Sequence, residues 1–173
     1  MKKIIVTLLV CCVLPIQAQY VSAPYRSDVR VESLLEKARL LYNERSFTMA
    51  EELLQQVLCD NPTYQQRHEA VALSVLIAYH KNPQAASDAI EDYLQCYPDA
   101  PEQNRMKALA LLCYYAQGRY ADVVHGMQEV NPDELNDKER DDVVLAYALS
   151  MIQEGRYEEA AVQLNILKET DIQ

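Results

Sequence analysis

Apolar residues recur at intervals of three and four along nearly the whole chain from residue 31 onward. In the first stretch Leu34, Ala38 and Leu41 follow this spacing. The spacing places apolar side chains on one face of an α-helix. Runs in which polar and apolar residues alternate, which are typical of half-buried strands, do not occur. The pattern therefore predicts an all-α fold.

Four residues divide this helical pattern into units of nearly equal length. Phe47, Pro83, Tyr120 and Tyr157 follow one another at intervals of 36, 37 and 37 residues. Each stands between two apolar helical stretches, so one unit consists of a helix A, a break and a helix B. A fixed period of this length is typical of repeat architectures, whose units bury their apolar faces against their neighbours. We expect four units, at about residues 31–62, 64–98, 102–132 and 138–169.

Small residues recur at equivalent places in these units. They are Ala38, Ser74 and Ala148 in helix A, and Ala50, Ala86 and Ala160 in helix B. Two helices whose axes lie about 8–10 Å apart need small side chains where they cross. Leu111 and Val123 take these places in the third unit, and Pro83 replaces the aromatic residue at the break in the second. We therefore expect wider crossings in those two units.

This layout resembles the tetratricopeptide repeat (TPR) family, most specifically in the segments YYAQGRY (114–120) and IQEGRYEEA (152–160). The resemblance implies a right-handed α-solenoid over residues 31–173, with helices A lining a concave groove that binds proteins. The segment AIEDYLQCYPDAPEQ (89–103) is also similar to repeats of exported bacterial envelope proteins, among them the TolA-binding cell-division coordinator and an outer-membrane assembly lipoprotein. That similarity implies a role in assembly or maintenance of the cell envelope.

Twelve positions match the groove-facing sites of the family. They are Leu35, Arg39, Tyr42, Val71, Val75, Tyr79, Ala108, Leu112, Tyr115, Leu145, Leu149 and Ile152. This set is mostly apolar and aromatic, as a protein-binding surface requires. There are two alternatives. Neighbouring helices or the N-terminal leader could cover these positions, or the tyrosines could bind a small molecule or glycan. The Lys and Asn of the family's carboxylate clamp are missing, so an adaptor for chaperone tails is not expected.

The N-terminus has the pattern of a signal peptide. Lys2 and Lys3 precede an apolar run over residues 4–14, and Ala18 offers a cleavage site. The run is shorter than the ~20 residues that span a bilayer, and Val10 before Cys11 does not suit a lipoprotein signal. Residues 1–18 are therefore predicted to be removed on export to the periplasm or medium, with an uncleaved anchor as the alternative. Residues 19–30, which have no apolar period, are predicted to form an extended leader.

Charge and composition argue against chemistry or nucleic-acid binding. The formal net charge of −10 lacks the basic surface that nucleic acids attract. Three cysteines follow the signal segment, namely Cys59, Cys96 and Cys113, and we expect them to be buried filler. No cysteine or histidine spacing suits a metal, and no phosphate loop or nucleophile motif occurs. We expect a protein-binding scaffold without cofactor or enzymatic activity. Val162 and Ile166 should meet water on the last helix, which makes it a candidate surface for self-association.

Overall fold

The computed structural model describes residues 23–170. Eight α-helices occupy most of this range: α1 (Ala23–Asn43), α2 (Phe47–Cys59), α3 (Tyr64–Lys81), α4 (Ser87–Cys96), α5 (Gln103–Ala116), α6 (Tyr120–Gly126), α7 (Asp137–Gln153) and α8 (Tyr157–Thr170). Short 3-10 turns lie at Pro83–Ala85, Met127–Glu129 and Pro132–Glu134. The described range contains no strand, so the all-α prediction is confirmed there.

The helices pack mainly on their neighbours in the chain. Each α-helix contacts the next one, and α1 also packs on α3, as α5 does on α7. Two apolar clusters fill the interior, one contributed by α1 to α5 and the other centred on α5 to α7. Helix α5 contributes to both, because Leu109 and Cys113 belong to the first cluster and Ala108 and Leu111 to the second. Helix α5 therefore joins the two clusters.

Three of the four turns between helix A and helix B have the same backbone geometry. Arg45, Gly118 and Gly155 stand two residues before Phe47, Tyr120 and Tyr157, and their φ angles are 61°, 76° and 78°. In each turn the following amide N–H donates to the carbonyl five residues back, over 2.8–2.9 Å. This is the Schellman arrangement, in which a left-handed residue lets the turn satisfy the last carbonyls of the helix. The aromatic residue is then the first residue of helix B.

The second unit turns differently. Asn82 is extended, with φ −155° and ψ 93°, because a residue before a proline is pushed out of the helical region. Pro83 begins a 3-10 turn, and α4 starts only at Ser87. Proline suits this first position because its missing N–H would have no partner there. Helix B therefore begins later in this unit than in the other three.

The extended leader predicted for residues 19–30 is wrong over the part that the structure describes. Helix α1 begins at Ala23 and runs without interruption to Asn43. Once a helix is nucleated, each added residue gains a hydrogen bond, so polar residues extend it without an apolar face. Arg30 forms an ion pair with Asp60, at 3.2 Å, which links this extension to the end of α2. The predicted signal peptide lies outside the described residues.

The left-handed turn position predicts opposite effects of two substitutions. Arg45→Gly should raise the free energy of unfolding by about 0.5–1 kcal/mol, since glycine adopts φ > 0 without the steric cost of a Cβ. Gly155→Ala should lower it by about 1 kcal/mol. No atom lies within 4 Å of a Cβ added at Gly155, so this loss reports backbone strain alone. Urea unfolding followed by circular dichroism measures both.

Gly155→Asn is the matched control, because asparagine tolerates the left-handed region better than alanine. It should lower the free energy of unfolding by less than Gly155→Ala does. Equal losses for the two variants would show that backbone strain is not the cause.

Candidate functional site

Two adjoining cavities lie between α3, α5 and α7. Their volumes are about 170 Å³ and 310 Å³. Tyr79, Leu112 and Asp142 line both, so the cavities form one surface, which we call the inner groove. Its walls come from the helix A of the second, third and fourth units. The inner groove therefore exists only because three helices far apart in sequence meet.

One end of the inner groove is apolar. Besides the three shared residues it is lined by Tyr115, Leu145, Ala146 and Leu149. Residues 142, 145 and 149 lie on one face of α7 because they are three and four positions apart. The Leu145 residue is 42% exposed, so an apolar surface is accessible to a partner here.

The other end of the inner groove is polar and carries both signs of charge. His80, Arg105, Asn136, Lys138 and Glu139 line it together with Leu76 and Leu109. The Arg105 Nε donates to Glu139 Oε1 over 2.7 Å, which links α5 to α7. The Asn136 side chain accepts a 2.9 Å bond from the Glu139 amide and caps α7. Lys138 is exposed at the first turn of that helix.

An aromatic cluster joins the first unit to this polar end. Tyr42 Oη and His80 Nε2 share a hydrogen bond of 2.9 Å. The Phe47 ring stacks on the His80 ring, with centroids 5.6 Å apart and planes 6° apart. The cluster therefore ties the end of α1 and the start of α2 to the end of α3.

Burial and charge shift the ionisation of this region. Burial, followed by the positive charges of Arg45, Arg105 and Lys138, lowers the pKa of His80 below its ordinary 6.5. Burial, with help from Cys113, Asp142 and Glu139, raises the pKa of Tyr79 to about 12. Burial also raises the pKa of Tyr42, although Arg105 opposes the rise. Neutral His80 and protonated phenols are thus the favoured forms at neutral pH.

The structure brings five of the twelve sequence-predicted groove residues together: Tyr79, Leu112, Tyr115, Leu145 and Leu149. Leu35 and Ala108, at 0% and 2% exposed, are in the core and offer no surface to a partner. Val71 and Val75 line a different cavity, between α2, α3 and α4.

The remaining three predicted residues lie outside the lining of the inner groove. Arg39 bonds Glu69 on α3, Tyr42 bonds His80, and Ile152 is half-buried near the end of α7. Equivalent positions differ because each helix A has different neighbours.

The polar residues of the inner groove were not among the sequence-predicted set. Arg105 and Asp142 lie seven positions before Leu112 and Leu149, on the same helix faces. Extending each apolar stripe by two turns toward the N-terminus would have included them. Nothing in the sequence pairs Arg105 with Glu139, because that contact depends on how α5 meets α7.

Two other expectations about side chains have clear outcomes. The cysteines are not uniformly buried: Cys113 is buried, whereas Cys59 and Cys96, the last residues of α2 and α4, are exposed. Burial raises the pKa of the Cys113 thiol to about 11. Val162 is 57% exposed on α8, as predicted. The side chain of Ile166 lies outside the part of the structure that is described.

The lowered pKa of His80 predicts that acid weakens the fold through this residue. When the folded pKa lies below the unfolded one, acidification protonates the unfolded chain first. The stability is therefore present above the unfolded pKa of about 6.5 and is lost as pH falls below it. The free energy of unfolding should fall between about pH 7.5 and about pH 5.5, and fall less in His80→Gln.

His125→Gln is the control, since His125 is an exposed histidine on α6. It should keep the pH dependence of the unmodified protein. Identical pH profiles for His80→Gln and the unmodified protein would contradict the prediction. Urea unfolding at the two pH values measures the effect.

Comparison with known proteins finds no matching family model, no similar curated protein and no similar solved structure. Among residues 23–170, no helix has both the length and the apolar character needed to cross a membrane. The same residues contain no group of three or more His, Cys, Asp or Glu placed to hold a metal ion.

Proposed function

We propose that the protein is an exported scaffold of TPR-like units that binds a segment of another cell-envelope protein in the inner groove. In this proposal the eight helices form a right-handed solenoid of four units. Export follows from the pattern of the first 18 residues, and the envelope role from the similarity of residues 89–103 to envelope repeats.

Two observations support an array of units. Helices pack on their sequence neighbours and, in two cases, on the next helix A. The turns at Arg45, Gly118 and Gly155 share one hydrogen-bond pattern at a spacing of one or two units. In a chain of this kind each unit is stabilised by its contacts with the adjacent units, as in a solenoid.

The proposed function is supported mainly by one observation: apolar side chains from three helices form a single accessible surface. Tyr115 and Leu149 contribute large side chains, and Leu145 is exposed although it is apolar. Burying a leucine or aromatic side chain against such a surface contributes about 1.5–3 kcal/mol. Aromatic anchors of this type are typical of binding hot spots.

The polar end of the inner groove indicates which groups the other half of the ligand presents. Lys138 and Asp142 are exposed charges of opposite sign, about one helical turn apart on α7. Tyr79, with its pKa raised to about 12, remains a hydroxyl donor at neutral pH. A peptide segment that presents apolar side chains at one end and polar groups at the other matches this division.

The alternative ligand is a small molecule or glycan. The polar cavity of about 310 Å³ falls at the lower end of the range of about 300–1,000 Å³ typical of small-ligand sites. Its convergent polar groups, His80, Arg105 and Asn136, favour this alternative. A peptide ligand should depend on Leu145 and Leu149, whereas a glycan should depend on the polar end.

Photo-crosslinking tests the peptide proposal. A benzophenone amino acid placed at position 145 should crosslink a protein in extracts of the native host. Adding Tyr115→Ala and Leu149→Ala should reduce this crosslink roughly tenfold or more, because each removes a large apolar contact. Mass spectrometry of the crosslinked product identifies the partner and the segment.

The same benzophenone at position 162 is the control, since Val162 is exposed on α8 outside the inner groove. It should give no crosslink to that segment, and circular dichroism should show that all variants fold. A crosslink that survives both alanine substitutions would refute binding in the inner groove. If mass spectrometry instead detects a non-peptide molecule bound to the protein, and His80→Ala abolishes its binding, the result would support the glycan alternative.

A further inference from the structure

A second apolar cavity opens between α2, α3 and α4, apart from the inner groove. Its volume is about 370 Å³. We call it the α3–α4 cleft. Its walls include Leu58, Ser74, Ala78, Ala89, Asp92 and Cys96. None of its residues lines the inner groove.

The cleft is open because small residues line it where two helices meet. Ser74 and Ala78 lie on α3, and Ala89 faces them from α4. The later start of α4 after Pro83 occurs in the same unit. Leu58 and Ala78 remain half-exposed beside the cleft. The result is apolar surface that no side chain of the described chain covers.

The third unit shows what fills the corresponding space. One interval of 37 residues relates Ser74 to Leu111 and Ala89 to Gly126. Leu111 is only 3% exposed, and a Cβ built on Gly126 would lie 2.6 Å from its Cδ2. The leucine therefore lies directly against the glycine backbone and fills the gap between α5 and α6. In the second unit serine and alanine replace this pair, and a cleft remains.

The polar groups of the cleft indicate the charge of a ligand. The Ser74 hydroxyl donates to the Ala70 carbonyl over 2.9 Å, and the Tyr93 hydroxyl donates to Glu102 over 3.3 Å. These two groups already have partners. Asp92 is exposed at the cleft and forms no ion pair with another side chain in the described part of the chain. Its charge repels a carboxylate or sulfonate placed beside it.

We propose that the α3–α4 cleft binds a small uncharged apolar molecule, of up to three rings in size, independently of the inner groove. The ligand replaces the side chain that Leu111 supplies in the third unit. A cavity of this volume and lining is within the range of small-ligand sites. Its affinity comes from removing the half-exposed walls from water.

Two nearly isosteric fluorescent probes test this proposal on the mature protein. N-phenyl-1-naphthylamine is uncharged, and 1-anilinonaphthalene-8-sulfonate carries an added sulfonate. The uncharged probe should bind at one saturable site. The affinity of the sulfonate should be lower by a factor of roughly ten or more. Asp92→Asn should reduce the difference in affinity between the two probes, because it removes the negative charge. Absence of saturable binding, or a preference for the sulfonate, would overturn the proposal.

The double variant Ser74→Leu, Ala89→Gly transplants the pair from the third unit and should fill the cleft. It should weaken binding of the uncharged probe roughly tenfold or more. Leu145→Ser is the matched control, because it removes apolar surface from the inner groove and should leave probe affinity unchanged. Loss of binding in the control with retention in the double variant would place the probe in the inner groove and refute the proposal.

Cys96 gives a readout on the unaltered protein, should the double variant fail to fold. It is exposed and lines the cleft, whereas Cys59 is exposed elsewhere. Bound N-phenyl-1-naphthylamine should slow the alkylation of Cys96 by iodoacetamide and leave the rate at Cys59 unchanged. Equal rates at Cys96 with and without saturating probe would contradict binding in the cleft.

Discussion

The close approach of paired helices at small residues is the constraint on which the rest of the molecule depends. In the first unit Ala38 and Ala50 are both 0% exposed, and in the fourth Ala148 and Ala160 are 0% and 1% exposed. Without a large side chain at the crossing, two helix axes can approach to about 8–10 Å. The leucines and valines one turn away then pack into the two apolar clusters.

The two middle units depart from this constraint in different ways. The third unit places Leu111 and Val123 at the crossing and buries both, at 3% and 0% exposed. It does so with the help of Gly126, which gives the leucine room. The second unit keeps small residues but turns through Asn82 and Pro83, and a cavity remains between its helices. Similar sequence units thus differ in how completely they fill their interiors.

The inner groove combines an apolar surface with a small balanced set of charges in an acidic protein. Arg105 and Glu139 form an ion pair between α5 and α7, so their opposite charges link two walls of the groove. Burial and, after it, the nearby cations lower the pKa of His80, which keeps the ring neutral beside Tyr42 and Phe47. Charge here therefore supports the geometry of the groove as well as its polarity.

Local sequence patterns account for the helices, the break residues and the small residues at the crossings. Those features depend on the helical period and on the backbone angles that glycine and proline permit, which neighbours in sequence decide. The start of α1 was missed because a polar helix extension has no apolar period. The helix A surfaces were predicted only in part: Leu145 and Leu149 line the inner groove, whereas the equivalent Val71 and Val75 line the α3–α4 cleft.

The sequence by itself determined an all-helical chain with recurring breaks, because period and turn chemistry are local. Only the tertiary structure decided which faces remain open and which charges meet. Whether an apolar side chain is buried or accessible depends on the helix packed against it, and that helix is distant in sequence. Leu35 and Leu145 occupy equivalent positions, yet one is 0% and the other 42% exposed.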